Sequence, residues 1–487
     1  MPHILALLLL AFVPVQETGQ QEGQTETHFP GGAVKERFEV DEKGQKSGDY
    51  QRFREDGSVE ISASYRRDQL HGRYAERDEE GTLILEALYG GGKRNGYWRT
   101  FEDGVRTLNA TYKNDLLNGR WQSVTPDETH VITATYRYGV LDGRYKEVRP
   151  ESKWERSATY KKGDLQGKAK ISVNRKTVST RKWEKGMLMQ LDGRVPYPVP
   201  LEDLTAELAE ARIVGPTDES DPISGDRMFA LMRLKVYRAL CRVPWRDITL
   251  VQEWNELCDA AGEVCEANGE LDHTPEQPEG MDDERFRQGY EGTSHSNLAM
   301  GSGLAGSVEQ YMDDSDPSNI DRIGHRRWCL NPTMGKTGFG ASGKWSAMWS
   351  MDGSGPGVKG MAAVLYPPPG YVPVDLFGPR HAWSIQLLKG KVPSSGKALD
   401  IEVVRLDEYY QPRGEPLELD WKDMAGGGFG GSPCLVFRPV DLQVRPGLRY
   451  GVKVSLDGGK SLAFEYLVEF VPGPEGDGRR TGERRRR

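Results

Sequence analysis

The stretch Tyr160-Lys161-Lys162-Gly163-Asp164-Leu165-Gln166-Gly167 is one copy of a pattern that recurs through the first part of the chain. Its last residue belongs to a glycine series with steps of 24, 24, 23, 24 and 24 residues: Gly48, Gly72, Gly96, Gly119, Gly143 and Gly167. An aromatic residue keeps step with this series at Tyr65, Tyr89, Tyr112, Tyr136, Tyr160 and Trp183. A fixed period of this size indicates a repeat architecture.

Each repeat reads as two strands. Gly72-Arg73-Tyr74 opens the first strand, a turn follows near Glu80-Gly81, and Leu83 to Tyr89 forms a second apolar-rich segment. Because a lone hairpin is marginally stable in water, neighbouring hairpins must stack edge to edge. The sequence therefore predicts an all-β hairpin repeat array over 36–191. We expect it to be a structural spacer or one that binds a protein partner, with no catalytic role.

The repeat has the form Tyr-x-x-Gly/Asp-x-Leu-x-Gly-Arg/Lys, which resembles the MORN-type repeat in its bacterial variant. The resemblance covers about Glu36 to Gln190. It fades after Trp183, where Gln190 replaces the expected glycine.

The two ends of the chain have distinct compositions. An apolar run from Ile4 to Val15 is too short to span a bilayer as a helix and predicts a secretory signal over 1–15, followed by a linker over 16–35. No later stretch predicts a transmembrane segment. The arginine-rich end predicts a disordered basic tail over 472–487. We therefore expect a secreted protein, or one of the periplasm or cell envelope.

Charge and cysteine content narrow the classes of partner. A formal net charge of −8 over 487 residues gives no reason to expect nucleic acid. Five cysteines leave at least one thiol free or paired between chains. Cys258 and Cys265 lie on a predicted helix, about 10 Å apart along its axis, too far to bond each other. Cys241, Cys329 and Cys434 remain open as partners.

The centre of the chain changes to helical periodicity. A segment rich in Pro, Asp and Glu predicts a linker over 192–225, and a helix is expected from about Met228 to Leu240. A second amphipathic helix follows Thr249 and ends at Asn268-Gly269.

Several motifs then follow in a fixed order: Leu271-Asp272-His273, Ser296-Asn297-Leu298-Ala299, Gly324-His325-Arg326 and Leu330-Asn331-Pro332. This order is similar to that of the CAP superfamily, which includes the cysteine-rich secretory, antigen 5 and pathogenesis-related proteins. The resemblance implies a domain over 226–354 with an α-β-α sandwich.

The same resemblance implies a cleft in which two His and two Glu can hold a divalent metal. His273 and His325 match the histidines, Ser296 stands where the first Glu belongs, and the second falls near Asp314. Glu309 and Asp313 are fallback carboxylates. The implied binding cleft is thus His273, Ser296, Asn297, Asp314 and His325, with Zn²⁺ as the possible cofactor on His273 and His325.

Other interpretations of these residues stay open. Backbone hydrogen bonds could hold His325 simply to fix its loop. His295 either adds an imidazole to the cleft or is a solvated loop residue. Ser294 or Ser296 could pair with His325 in a hydrolase, although no orienting third group or oxyanion signature is visible in the sequence.

The remaining segment, 355–471, alternates as strands do. Strands are predicted at 384–387, 401–403, 450–456 and 462–468, with a turn at Asp457-Gly458-Gly459, and together they indicate a β-sandwich. Tyr450 lies in a segment that looks like the tyrosine corner of immunoglobulin-like sandwiches. The glycine loop at 426–431 lacks the Lys-Ser/Thr of a phosphate-binding loop, so no nucleotide is expected.

Taken together, the sequence favours an exported, non-enzymatic binding protein with a protein, glycan or lipid ligand in the cleft. The first alternative is a metal-dependent hydrolase that uses His273 and His325 as ligands. The second is a structural adhesin.

Overall fold

The computed structural model describes residues 23–388, 399–428, 432–456 and 462–473. The chain divides into two compact units, Met1–Val195 and Pro196–Arg487. Five sequence predictions lie wholly or partly outside the described residues: the signal peptide at 1–15, the first part of the linker that follows it, the end of the glycine loop, the turn at Asp457-Gly458-Gly459 and the basic tail.

The first unit is one antiparallel sheet of sixteen strands in the described residues, and its strands follow one another in chain order. The short strand β13 also pairs with β12, beside β14. The strands are β1 Gln24–His28, β2 Val34–Val40, β3 Lys46–Phe53, β4 Val59–Arg66, β5 Gln69–Arg77, β6 Leu83–Gly90, β7 Lys93–Glu102, β8 Val105–Lys113, β9 Leu116–Val124, β10 Val131–Arg137, β11 Val140–Arg149, β12 Trp154–Lys161, β13 Asp164–Leu165, β14 Gly167–Val173, β15 Lys176–Glu184 and β16 Met187–Leu191.

The repeated glycine has a steric cause. In each repeat it pairs with the repeated aromatic of the next strand, as Gly96 does with Tyr112. Gly96 has φ of 134°, and a Cβ there would lie 2.8 Å from the Cβ of Leu88. A side chain at this position would therefore clash and strain the backbone. The predicted two-strand repeat is what the structure has.

One face of this sheet alternates aromatic rings with alanine. Ala87 lies between Tyr74 and Trp98 on the adjacent strands, and Ala110 lies between Trp98 and Trp121. Both alanines have no exposed surface. Rings on neighbouring strands also meet edge to face, with centroids of Trp98 and Tyr112 6.3 Å apart. Small residues under large rings thus give a single sheet a packed layer of its own.

The second unit combines six helices with twelve strands in the described residues. The helices are α1 Leu201–Ala211, α2 Ser224–Leu240, α3 Gln252–Asn268, α4 Asp283–His295, α5 Gly303–Asp313 and α6 Gly324–Cys329. The strands are β17 Thr249–Leu250, β18 Ser296–Met300, β19 Lys336–Ser342, β20 Trp345–Trp349, β21 Ala363–Tyr366, β22 Gly370–Pro373, β23 Trp383–Leu387, β24 Leu399–Leu406, β25 Leu419–Ala425, β26 Cys434–Pro439, β27 Arg449–Leu456 and β28 Leu462–Val471.

These twelve strands form three four-stranded sheets, in the orders β17-β19-β20-β18, β21-β23-β26-β25 and β22-β28-β27-β24. Helix α3 packs against β19, β20 and α4, whereas α2 packs against α1 and α5. The predicted helices are present, and α3 ends at Gly269 with a left-handed φ of 75°.

The fold class predicted for the centre of the chain is wrong. The structure is mostly β, with 44% strand and 17% helix, and a central α-β-α sandwich is not evident. One hydrophobic core instead joins α1, α2 and α5 to the two following sheets, as where Tyr237 of α2 meets Tyr366 of β21 at 6.3 Å. Periodicity predicts which helix face is buried, but it does not say what covers that face.

The two sheets between β21 and β28 are compatible with the predicted β-sandwich, because both contribute buried residues to that common core. The Tyr450 hydroxyl donates to the Gln443 carbonyl at 2.9 Å, the backbone contact expected of a tyrosine corner. Helix α1 lies in the segment predicted to be a linker, and Leu204 and Leu208 are buried in the same core. None of the helices described for this chain is both long and apolar enough to cross a membrane.

Candidate functional site

Three of the predicted site residues meet at one cavity in the second unit. This first cavity has a volume of about 610 Å³, and His273, Asp314 and His325 all line it. Strand β18 supplies an apolar wall through Leu298 to Met300. Another part of the lining is the polar loop after α5, which carries Asp316, Ser318, Asn319 and Arg322. Its size and mixed lining are typical of a small-ligand site.

Asp314 and His325 form the best-defined pair in this cavity. Asp314 is the left-handed residue that ends α5, with φ of 44°, and this turn directs its carboxylate back toward α6. The His325 Nδ1 donates to Asp314 Oδ1 at 2.8 Å, and the Arg326 backbone amide donates to Oδ2 at 3.3 Å. The Asp314 side chain is only 1% exposed. The pair therefore fixes the proton on Nδ1 and leaves Nε2 to meet a ligand.

Two further residues position His325, one at its ring and one at its backbone carbonyl. Tyr311 stacks on the imidazole, with centroids 5.5 Å apart, and its hydroxyl donates to the Asn297 carbonyl at 3.0 Å. The Asn297 side-chain amide in turn donates to the His325 carbonyl at 3.0 Å. Asn297 is buried and does not line the cavity, so it is a positioning residue. The sequence did not single out Tyr311, although an aromatic one helical turn before Asp314 was a usable signal.

His273 reaches the cavity from the loop after α3. Its Nδ1 donates to the Thr293 carbonyl at 2.8 Å, and the Thr293 hydroxyl donates back to the His273 carbonyl at 3.4 Å. The side chain is exposed. The hydrogen bond to Thr293 therefore orients the His273 ring. It leaves Nε2 as the nitrogen that can contact a ligand.

The structure does not bring the candidate hydroxyls to His325. The Ser296 hydroxyl is buried 3.6 Å from the Cys258 sulfur, and the Ser294 hydroxyl donates to the Glu291 carbonyl at 3.0 Å. His295 stacks on Trp349 at 4.8 Å instead of facing the cavity. Within the described residues, neither serine forms a hydrogen bond to His325, so the alternative of a Ser/His hydrolase pair is not supported.

The fallback carboxylates lead to a second cavity of about 730 Å³ on the other side of α5. Glu309 lines only this second cavity, where it forms an ion pair with Arg233 at 2.8 Å. Asp313 lines both cavities, and its Oδ1 lies 3.7 Å from His381 Nε2. Asp313 and Asp314, adjacent residues at the C-terminal end of α5, therefore each lie close to a histidine side chain.

The residues around the first cavity do not fit a zinc site with three or four protein ligands. His273 and His325 could each offer Nε2, but no group of three or more ligating side chains occurs in the part of the chain that the structure describes. Structural zinc sites use four such ligands and catalytic sites commonly three.

All five cysteines are buried, free thiols. Burial raises the pKa of the Cys241, Cys258 and Cys329 thiols to about 12. Thiols held in this form are poor nucleophiles at neutral pH. As the helix spacing predicted, Cys258 and Cys265 both lie on α3 and do not bond each other. Cysteine chemistry therefore adds nothing to the site.

Comparison with known proteins gives no further assignment. The sequence matches no protein-family model and no curated protein. The function has to be argued from the cavity itself.

Proposed function

We propose that this chain is a non-enzymatic binding protein that recognises a neutral or basic polar ligand, such as the end of a glycan, in the first cavity. The observation that carries the proposal is the Asp314–His325 pair, which presents an acceptor nitrogen beside an apolar strand. Asp313 and Asp316 add carboxylate acceptors for hydroxyl or ammonium donors. Apolar contact on one wall and directed polar groups on the other are what ligand sites use for orientation.

We also propose that the protein acts outside the cytoplasm, secreted or in the cell envelope, and that 226–354 is related to the CAP superfamily. The support for export is the apolar run from Ile4 to Val15. The support for the relationship is the order of the motifs around His273, Asn297 and His325. A MORN-type origin of the repeats is proposed on the same kind of evidence.

The test is a binding screen of the purified full chain against a panel of neutral and amino-sugar oligosaccharides, followed by calorimetry on each hit. We expect His325→Gln to weaken binding by about tenfold or more, because a directed hydrogen bond in a partly buried site is lost. His295→Gln is the matched control, since that imidazole stacks on Trp349 outside the cavity. Equal affinity of both variants, or no hit for the wild-type chain, would refute the proposal.

A second function is favoured by the same pair. A buried carboxylate that holds Nδ1–H of a histidine leaves Nε2 free to take a proton, which is the arrangement of a general base. His325 could then activate a water molecule against a carbonyl substrate, with no serine involved. Turnover of ester or peptide substrates that His325→Ala abolishes would favour hydrolysis over binding. Ligand affinity without turnover would exclude it.

A further inference from the structure

The C-terminal strands of the sheet and the turns between them are rich in basic residues. Between 151 and 195 the chain carries twelve Lys and Arg residues against five Asp and Glu residues. Register places Lys168 of β14 directly opposite Lys182 of β15, and Lys170 opposite Thr180. All four side chains are exposed. We name the positions 144, 146, 157, 159, 168, 170, 180 and 182 the basic face.

Three of the four lysines of the basic face form no ion pair within the described residues. Lys146 pairs with Glu155 at 2.9 Å. Lys168, Lys170 and Lys182 form no ion pair with any carboxylate of the described residues. Like charges directly opposite each other on neighbouring strands are destabilising. Because Lys168 and Lys182 are exposed and directly opposite each other, this surface is suited to bind an anionic partner.

The chemistry between the lysines narrows that partner. Ser157, Thr159 and Thr180 place hydroxyl groups among the charges. The aromatic side chains of these strands, including Tyr145 and Trp183, lie on the other face. None of the eight positions of the basic face is aromatic, so this face offers no ring platforms on which nucleic acid bases could stack. Adjacent strands are about 4.8 Å apart, so Lys168 and Lys182 lie side by side on an open strand surface rather than in a pocket.

We propose that the basic face binds a linear acidic polysaccharide, with Lys168, Lys170 and Lys182 contacting its charged groups and the neighbouring hydroxyls contacting its sugar rings. Charge-assisted hydrogen bonds to carboxylate or phosphate supply the attraction, and an open surface across neighbouring strands accommodates an extended chain. The proposal does not depend on the cavity of the second unit. It also does not require any rearrangement of the sheet.

Binding of the full chain to polygalacturonate, with neutral dextran as the negative probe, tests this proposal. We expect wild-type binding that weakens as salt concentration rises, because exposed charges are screened. The triple variant Lys168→Ser, Lys170→Ser, Lys182→Ser should bind at least about tenfold more weakly. Its melting temperature should not fall, since the substitutions remove like-charge repulsion from an exposed face.

The matched control is Lys43→Ser, Lys93→Ser, Lys113→Ser, which removes the same charge from exposed positions elsewhere on the same sheet. This control should keep wild-type affinity, as should His325→Gln, so failure of the cavity proposal would not affect the result. Equal losses in both triple variants, no wild-type binding to polygalacturonate, or a preference for anionic phospholipid vesicles or single-stranded DNA would overturn the proposal.

Discussion

In the two compact units, the residues that contact a buried side chain lie at very different distances along the sequence. In the sheet, Ala87 is covered by Tyr74 and Trp98, which lie on the adjacent strands. In the second unit, Arg326 reaches Ala382 and Ser384, which are 56 and 58 residues further along the chain. Contacts between neighbours can form and fail locally, whereas contacts of this range must form together. A destabilising substitution should therefore affect only neighbouring strands in the first unit, but should destabilise the second unit as a whole.

The units also place their cations differently. Lys168, Lys170 and Lys182 of the sheet are exposed to solvent, whereas Arg238 of the second unit is fully buried and donates to the carbonyls of Cys329 and Asn331 at 2.7 and 2.9 Å. Burial lowers the pKa of Arg238 to about 10. Such a cation is stabilised only while every one of its acceptors stays in place.

The largest expected effect comes from Arg326→Met. The Arg326 guanidinium donates to the carbonyls of Met312 and Ala382, both at 2.7 Å, and to that of Asp313. Methionine fills similar space but leaves these carbonyls buried without a partner, at a cost of about 4 kcal/mol. Urea denaturation followed by near-ultraviolet circular dichroism should show an earlier transition for the second unit and an unchanged one for the sheet.

Arg413→Met is the control for this change, because Arg413 is exposed. It should alter the free energy of unfolding by less than about 0.5 kcal/mol. If Arg326→Met lowered both transitions equally, the two units would not differ in the way their packing implies.

The next effect is a pH dependence of the second unit. Burial lowers the pKa of His381 from 6.5 to about 4, the nearby Asp313 carboxylate opposes this shift, and Arg326 adds to it. Tyr366 and Phe377 also face the ring. Because the unfolded chain binds this proton at higher pH than the folded chain, acidification from 6.5 to 4 should cost up to about 3 kcal/mol.

Denaturation midpoints across this pH range, compared between wild type and His381→Gln, measure this contribution. The variant should lose less stability than the wild type as the pH falls from 6.5 to 4. Identical pH profiles for the two proteins would show that His381 is not the group responsible.

A smaller effect is expected from Ala110→Leu in the sheet. Ala110 has no exposed surface and lies between Trp98 and Trp121, so the larger side chain must displace a ring, at about 2 kcal/mol. Ala75→Leu is the matched change on the opposite face, beside Ser62 and Glu86, and should be nearly neutral. Equal costs at the two positions, measured by thermal denaturation, would contradict a one-sided packed layer.

The structure of the first unit could be predicted from the sequence more fully than that of the second unit. The glycine period alone predicts two antiparallel strands per repeat, since each repeat contacts only its neighbours. The alanine two residues before each repeated tyrosine, as at Ala87 and Tyr89, carried the packing signal that was overlooked. In the second unit periodicity located α2 and α3, but the core that joins Tyr237 to Tyr366 has no local signature in either segment.

The candidate site was predictable only in part, for the same reason. Motif order led to His273, His325 and Asp314, which do line one cavity. Ser296 and Asn297 belong to the same motif, yet both are buried and neither lines the cavity. The second cavity needs Val374 to His381 from a distant segment, so no single stretch of sequence indicates it.

The smallest expected effect separates the two faces of the sheet most directly. Lys182→Thr removes one member of the directly opposed pair Lys168/Lys182 and should raise the free energy of unfolding of the sheet by about 0.3 kcal/mol at low salt. Lys113→Thr introduces the same residue opposite Leu116, where no like charge is relieved. The difference between the two variants isolates the repulsion from the strand preference of threonine, and it should vanish at high salt because the charges are exposed. A difference that survives screening would mean that packing, rather than charge, distinguishes the basic face, and the case for an anionic partner there would lose its physical basis.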